Sequence, residues 1–298
     1  MAPRVTVVIA TYNRAALLME TIESVLRQSY RDFEVLVCDD GSTDDTAACV
    51  TRSGPPVHYL GLEHRGRPGW PRNRGIEAAR GELVAFVDDD DLWEPEKLGR
   101  QVELFDRDSA LNLVYTDRQL LPASGSSPAI VRTPAPARAD QLLDLVLRRQ
   151  MPFVGSWLVR RELLLRVGGF DETLVTGEDL DLLLRLAPSA RIAGVPEPLV
   201  LVRRQPGSVS DRAGPLTFEN AVLVLERWLA TNRLSWPDRR RARKMLAHLH
   251  TGLAASLREQ GDAAGSWRAA VGAIRHAPGR RASWTAWSRS LYTALRAP

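Results

Sequence analysis

Three short, almost uninterrupted apolar runs constrain this chain more than any other feature. Val5–Ala10 (VTVVIA), Phe33–Cys38 (FEVLVC) and Leu83–Val87 (LVAFV) carry the pattern of strands covered on both faces. Val57–Leu60 is a fourth candidate. Helical spacing fills the gaps. Ala15–Gln28 places Leu18, Ile22, Val25 and Leu26 on one face, and Ser42 reads as a helix cap with Asp45 three residues on. Pro71 opens a helix to Ala79, and Pro95 opens another through Phe105. Strand and helix alternate at crossover length, which predicts an α/β fold: a mostly parallel sheet sandwiched by helices and joined by right-handed crossovers.

Beyond this core the pattern changes. Pro122–Arg138 is rich in Pro, Ser and Ala and reads as a loop. Regular patterning resumes at Asp140–Arg149, Gly155–Val159, Arg161–Val167, Asp179–Leu186 and Leu199–Arg203. From about Leu216 the chain reads as wholly helical, with breaks near Gly261-Asp262 and Pro278-Gly279, a helical hairpin or small bundle. The expected division is therefore 1–212 for an α/β domain and 213–298 for a C-terminal all-helical appendage.

Charge is just as uneven. Residues 1–202 hold 23 Lys and Arg against 30 Asp and Glu, whereas 203–298 hold 17 against 6. The basic end also carries Trp228, Trp236, Trp267, Trp284 and Trp287, five of the eight tryptophans. Such an end suits anionic partners, lipid headgroups ahead of nucleic acid. Solvated arginine faces over packed tryptophans explain it equally well. The two cysteines, Cys38 and Cys49, form no disulfide framework and suit a reducing compartment. The opening apolar run is too short for a secretory leader, and nothing approaches the roughly 18 apolar residues of a spanning helix. The expected location is cytoplasmic, at most peripheral at the inner face of the cell membrane.

In an open parallel sheet, ligands bind beyond the carboxyl ends of the strands. Three polar signals fall there: Thr11-Tyr12-Asn13-Arg14, Asp39-Asp40-Gly41-Ser42 and Asp88-Asp89-Asp90-Asp91. Four adjacent carboxylates repel one another unless a positive charge neutralises them. A hard divalent cation does so, with room left for water and substrate phosphates, and Asp88 and Asp90 project to the same side of an extended chain. One acid is enough to cap the helix opened by Pro95, so four are an excess that favours metal over capping. No glycine-rich phosphate loop follows the first strand, which argues against dinucleotide oxidoreductases and P-loop NTPases. Tyr12 is placed to stack on a nucleobase, with Asp40 accepting from a ring N–H, although burial against the next helix would account for a lone tyrosine. Glu178-Asp179 opens a helix; such a carboxylate is first an N-cap and, near a metal–phosphate centre, a general base.

As an ordered set, VVIATYNR, FEVLVCDDGSTDDT, PRNRGIEAARGELVAFVDDDDLWEPEKL, VGGFDETLVTGEDLDLLLRL and RRQPGSVS resemble the inverting GT-A glycosyltransferases of family 2, over Arg4 to Ser210. The resemblance implies a GT-A fold and metal-dependent transfer of a single sugar from a nucleoside-diphosphate sugar to an acceptor hydroxyl, in bacterial surface glycan or other glycoconjugate biosynthesis. It implies Mg2+ or Mn2+ as cofactor, and a glycan, lipid-linked or small-molecule acceptor. Tyr12 looks like the base-stacking residue and Asp40 like the carboxylate that reads the base. Arg72 and Asn73 sit in the family's nucleotide-contacting stretch. Asp88-Asp89-Asp90 matches the DxD motif, with Asp90 the metal ligand and Asp88 nearer the ribose, and Asp179 matches the catalytic base. Thr11, Arg14, Asp89, Glu178 and Arg204 complete the expected donor-binding set. Two positions depart from the family pattern: Ala10 stands where Pro is usual, and Gln205 where His is frequent, with Arg203 or Arg204 placed to compensate. The membrane helices and Q-x-x-R-W motif of processive synthases are absent. A non-catalytic nucleotide-sugar or glycan-binding protein on the same fold, and a sugar-1-phosphate nucleotidyltransferase, are the alternatives. The first should have lost carboxylates, and the second should carry a glycine-rich loop that TYNRAALL lacks.

Overall fold

The structure, a computed structural model, describes residues 2–121, 127–203 and 214–296. The chain divides into two compact units: Met1–Val146 with Gln150–Pro206, and Leu147–Arg149 with Gly207–Pro298.

The first unit is built on β1 (Val5–Thr11), β2 (Phe33–Asp39), β3 (Val57–Gly61) and β4 (Leu83–Asp88), all parallel. Every residue of β2 is buried, as its unbroken apolar run requires. The helices between them are α1 (Ala15–Leu26), α2 (Thr46–Ser53) and α3 (Gly69–Ala78). On α1 the residues Leu18, Ile22 and Val25 face the core at helical spacing. After β4 come β5 (Leu92–Trp93), α4 (Lys97–Arg107), β6 (Leu113–Leu121), β7 (Ala129–Val131), α5 (Leu142–Leu147), β8 (Leu158–Arg160), α6 (Arg161–Arg166), α7 (Glu178–Leu186) and β9 (Ile192–Arg203). Strand order is β3-β2-β1-β4-β8-β6-β9-β5, with β7 on β6.

The sheet is mostly parallel but mixed, because β8 runs antiparallel to both β4 and β6, and β5 runs antiparallel to β9. The long strand β6 lies inside the sheet, yet only its first half is an apolar run, so its sequence gives little periodic signal. Ser42 does not cap a helix. Its hydroxyl donates to Asp39 Oδ1 at 2.6 Å and accepts from the Asn13 N–H at 2.8 Å, and α2 begins four residues later. The stretch expected as a loop contributes β7, and β9 begins at Ile192 rather than Leu199.

Helix α3 approaches the sheet closely because Gly75 has no side chain. A Cβ there would lie 2.4 Å from Val8 Cγ1 and 3.0 Å from Cys38 Sγ. Gly75→Ala is expected to lower stability by roughly 1–3 kcal/mol through overpacking. Chemical denaturation checks this, and an unchanged midpoint would show that α3 shifts freely.

The second unit contains α8 (Pro215–Thr231), α9 (Trp236–Glu259), α10 (Ala263–His276) and α11 (Arg281–Arg296). The two expected breaks lie between α9, α10 and α11, and a third, at 232–235, separates α8 from α9. One cluster of its core is made mostly of small residues, Ala254, Ala269, Ala270 and Ala286 with Leu253, while Leu225, Trp228, Met245 and Leu246 are buried elsewhere in the unit. The tryptophans divide: Trp228 is buried, whereas Trp236, Trp267 and Trp284 are exposed. No helix among the described residues is long and apolar enough to cross a membrane.

Candidate active site

Strand order reverses between β1 and β4, so the crevice beyond their carboxyl ends is where an open α/β sheet binds ligands. Three groups of side chains meet along this edge.

The first ties β1 to β4. Thr11 Oγ1 donates to Asp89 Oδ2 at 2.8 Å, and Arg14 Nη1 donates to Asp89 Oδ1 at 3.0 Å and Asp90 Oδ2 at 2.9 Å. Asp89 is buried, and burial pushes its carboxyl up to about 6 against the pull of Arg14 and Thr11. Asp90 is raised by burial and by Asp88. Asp91 is raised well above the carboxylate range by burial and by Asp88 and Asp90. Its Oδ1 accepts from the Arg203 N–H at 3.2 Å, whereas its buried Oδ2 has no partner among the described residues. Because Asp89 turns to Arg14 and Asp88 to Arg72, no three of these aspartates bring carboxylate oxygens within 4.8 Å of one another.

The second group centres on Arg72 in α3, which is buried and bridges two acids from distant segments. Its Nη1 donates to Glu178 Oε1 at 2.6 Å and its Nη2 to Asp88 Oδ1 at 2.7 Å. Burial works against its charge, yet Asp88 and Glu178 hold its pKa above the ordinary arginine value. Gly177, at φ +80°, makes the left-handed turn that starts α7 and presents Glu178 and Asp179 there. Both carboxyls are raised, chiefly by burial, with Arg72 opposing. Asp179 Oδ1 accepts from the Leu180 N–H at 2.7 Å and feels the charge of Asp88.

The third group lies beyond β1, β2 and β3. Tyr12, 41% exposed, stacks on His64 with ring centroids 4.1 Å apart and 22° between planes. Asp40 is buried and accepts from the N–H groups of Arg65 and Gly66 at 2.9 and 2.8 Å. The His64 ring nitrogen Nδ1 lies 2.8 Å from the Asp40 main-chain oxygen.

Asn73 stands apart. Its amide donates to the Phe170 carbonyl and to Glu172, each at 2.9 Å, and its oxygen accepts from the Phe170 N–H, so it anchors the 170–172 loop. Arg204 and Gln205 lie outside the described residues.

Two site residues were not legible beforehand. His64 follows the third strand, on the same sheet edge as the other signals, and that topology alone could have pointed to it. Arg118, in β6, had no sequence signal. It is partly buried, which lowers its pKa, while Asp91 and Asp179 draw it the other way. Its guanidinium sits 4.9 Å over the Phe153 ring and makes no hydrogen bond among the described residues.

A curled, mostly parallel sheet flanked by helices, with acidic loops at the carboxyl ends of β4 and before α7, is a GT-A fold. Residues 6–153 match the family described as Glycosyl transferase family 2, and the chain belongs to that family. It is 34% identical over 219 residues to the succinoglycan biosynthesis protein ExoO of Rhizobium meliloti, covering 70% of this chain and 63% of that protein. The chain spans 26% to 63% of the length of the first curated relatives it matches. Among solved structures, TarS 1–349 of S. aureus with UDP-GlcNAc superposes with a TM-score of 0.72 at 19% identity, covering 98% of this chain and 92% of that one. The mannosyltransferase PcManGT of Pyrobaculum calidifontis, solved with GDP-Man and Mn2+, gives 0.62 at 22% identity, covering 99% and 86%. At these identities the structural likeness speaks for the fold alone.

Proposed function

We propose that this chain transfers a single sugar, with inversion, from a nucleoside-diphosphate sugar to an acceptor hydroxyl. The observation that carries this reading is the Arg72 bridge, which draws Asp88 at the end of β4 and Glu178 at the start of α7 to one point, with Asp179 beside them.

A divalent ion fits the Asp88–Asp91 loop. The donors are all hard oxygens, burial raises the carboxyls of Asp89, Asp90 and Asp91, and the buried Asp91 Oδ2 is unpartnered among the described residues. Asp90, with Asp88 or Asp91, would hold Mg2+ or Mn2+ through one or two carboxylates, the usual way Mg2+ is shared with substrate phosphates. Such an ion supplies charge that offsets the negative charge gathering on a departing nucleoside diphosphate.

The chain's own residues do the rest. The Tyr12–His64 stack leaves a ring face for the nucleobase, and Asp40 holds the 64–66 loop beside it. Thr11 and Arg14 fix the aspartate loop. Arg72 keeps Asp88 and Glu178 in place. Asp179 takes the proton of the acceptor hydroxyl as its oxygen attacks the anomeric carbon, a step favoured by a carboxyl raised toward working pH. Arg118 offers positive charge beside Asp91 and Asp179.

The likeness to a succinoglycan biosynthesis protein supports a setting in bacterial polysaccharide assembly, with a glycan or lipid-linked acceptor. The exposed tryptophans of the basic second unit support peripheral contact with the inner face of the membrane.

The test is nucleoside diphosphate release from a panel of UDP-, dTDP- and GDP-sugars, with Mn2+, Mg2+ or chelator. One donor is expected to be turned over, and chelator or Asp90→Ala is expected to reduce release by at least about 10²-fold, equivalent to a loss of roughly 3 kcal/mol of transition-state stabilisation. Metal-independent release, or none from any donor, counts against the proposal.

A further inference from the structure

We propose that the helical unit carries a binding site for a phosphate-rich anion, a diphosphate or phosphodiester group, in a basic cavity between the first half of α9, the α10–α11 turn and Leu147–Arg149. This site is separate from the donor crevice and does not rest on the transferase reading.

The cavity has a volume of about 990 Å³ and, among the described residues, no aspartate or glutamate in its lining. Its walls carry Arg149, Arg239, Arg240, Arg243, Lys244 and Arg280. Among the described residues none of these six has a carboxylate partner, whereas the neighbouring Arg241 pairs with Asp238 at 2.9 Å. Four of them lie at i, i+1, i+4 and i+5 on α9, so Arg239 with Arg243, and Arg240 with Lys244, are like-charge neighbours that disfavour the helix until an anion screens them. The C-terminal end of α10 also faces the cavity, and its dipole offsets only about half a charge.

Positive charge from separate segments overlaps inside. His248, in the wall, is pushed down by burial and by Arg149 and Arg280, which keeps the imidazole neutral. Its Nδ1 lies 3.3 Å from Arg280 Nη2, which orients that guanidinium. Arg149 is held at φ +61°, a left-handed conformation that non-glycine residues adopt at a cost.

The chemistry favours phosphate over carboxylate. Arginine forks match phosphate oxygens bidentately, one carboxylate would neutralise only one of six cations, and the volume holds more than one phosphate group. Trp236, 73% exposed, stands at the cavity with Arg240 5.7 Å over its ring. An indole in that position suits an anion carried at a lipid surface.

The test uses the full chain in chelator, which keeps metal-assisted binding out of the donor crevice. Sodium pyrophosphate is titrated calorimetrically, and co-sedimentation is measured with phosphatidylcholine vesicles with and without phosphatidylglycerol. R239A/R243A is compared with the charge-matched R258A/R268A, both from helix surfaces outside the donor crevice, with K244A as a milder cavity variant and circular dichroism to verify folding. At about thirty-fold for two cations removed, R239A/R243A should lose most binding and R258A/R268A less than about three-fold. Pyrophosphate binding with that dependence identifies a soluble phosphate as sufficient. Binding only to phosphatidylglycerol vesicles with the same dependence identifies a lipid-borne one. No binding in either arm, or an equal loss in R258A/R268A, overturns the site. Donor turnover by R239A/R243A should stay at the wild-type level, so this site and the transferase reading fail separately.

Discussion

Asp179→Asn is expected to lower turnover by about 10²–10⁴-fold while leaving donor affinity within about three-fold of wild type. Asn keeps the oxygen that accepts the Leu180 N–H at 2.7 Å, so the first turn of α7 should survive while the proton acceptor is lost. Single-turnover kinetics beside calorimetric donor binding separates the two effects. Transfer retained at the wild-type rate would remove Asp179 from the base role. The pH profile gives a second reading. Burial raises the Asp179 carboxyl, against the Leu180 N–H and Arg72, and the base works only when ionised. Wild-type kcat should therefore fall as pH drops through that raised value, with its acid limb above the ordinary aspartate value of about 4. Glu178→Gln should keep a limb on the acid side, and Asp179→Asn should abolish it.

The second large effect belongs to Arg72. Arg72→Ala strips the counter-charge from Glu178, which is buried, and from the partly buried Asp88. Removing one member of a buried pair costs about 3–5 kcal/mol, and the lower end applies here because the stranded Glu178 carboxyl, already raised by burial, can take up a proton. Turnover should fall with stability, because Asp88 and Glu178 lose the point that joins them. Arg72→Lys should recover only part of either, since one ammonium cannot reach two acids on opposite sides as a guanidinium fork does. Denaturant unfolding of Arg72→Ala, Glu178→Gln and the double variant forms the cycle. The double variant should be more stable than Arg72→Ala alone, because the more buried of the two orphaned carboxyls, Glu178, is gone. A loss under about 1 kcal/mol in Arg72→Ala would mean that the bridge is not structurally coupled to the fold.

Much of this architecture was legible in the chain. The runs VTVVIA, FEVLVC and LVAFV become the parallel strands β1, β2 and β4 because an unbroken apolar run suits burial on both faces. Glycine and proline marked the helix breaks after α9 and α10, where the chain must leave helical geometry. The acids at the end of β4 were visible as a cluster too dense for capping alone, whereas Glu178-Asp179 before α7 read first as an N-cap. What stayed hidden depends on long-range pairing. The antiparallel insertion of β8 between β4 and β6 leaves no local mark, because period-2 patterning does not report strand direction. Ser42 looked like a cap, yet Asp39 and the Asn13 N–H, brought beside it by the β1–β2 register, compete for its hydroxyl.

The same division runs through the site. Residue type and local position by themselves determined that carboxylates gather at the carboxyl edge of a parallel sheet and that a basic, tryptophan-rich helical segment follows. Only the tertiary structure decided which carboxylate meets which cation. Arg72 finds Glu178 across 106 positions of chain and Asp88 across 16, while Asn73, its neighbour, turns to the 170–172 loop instead. Adjacent residues on a helix point about 100° apart. Which of the two faces the crevice is therefore set by how α3 packs over β1 through Gly75, a contact between elements that no local pattern encodes.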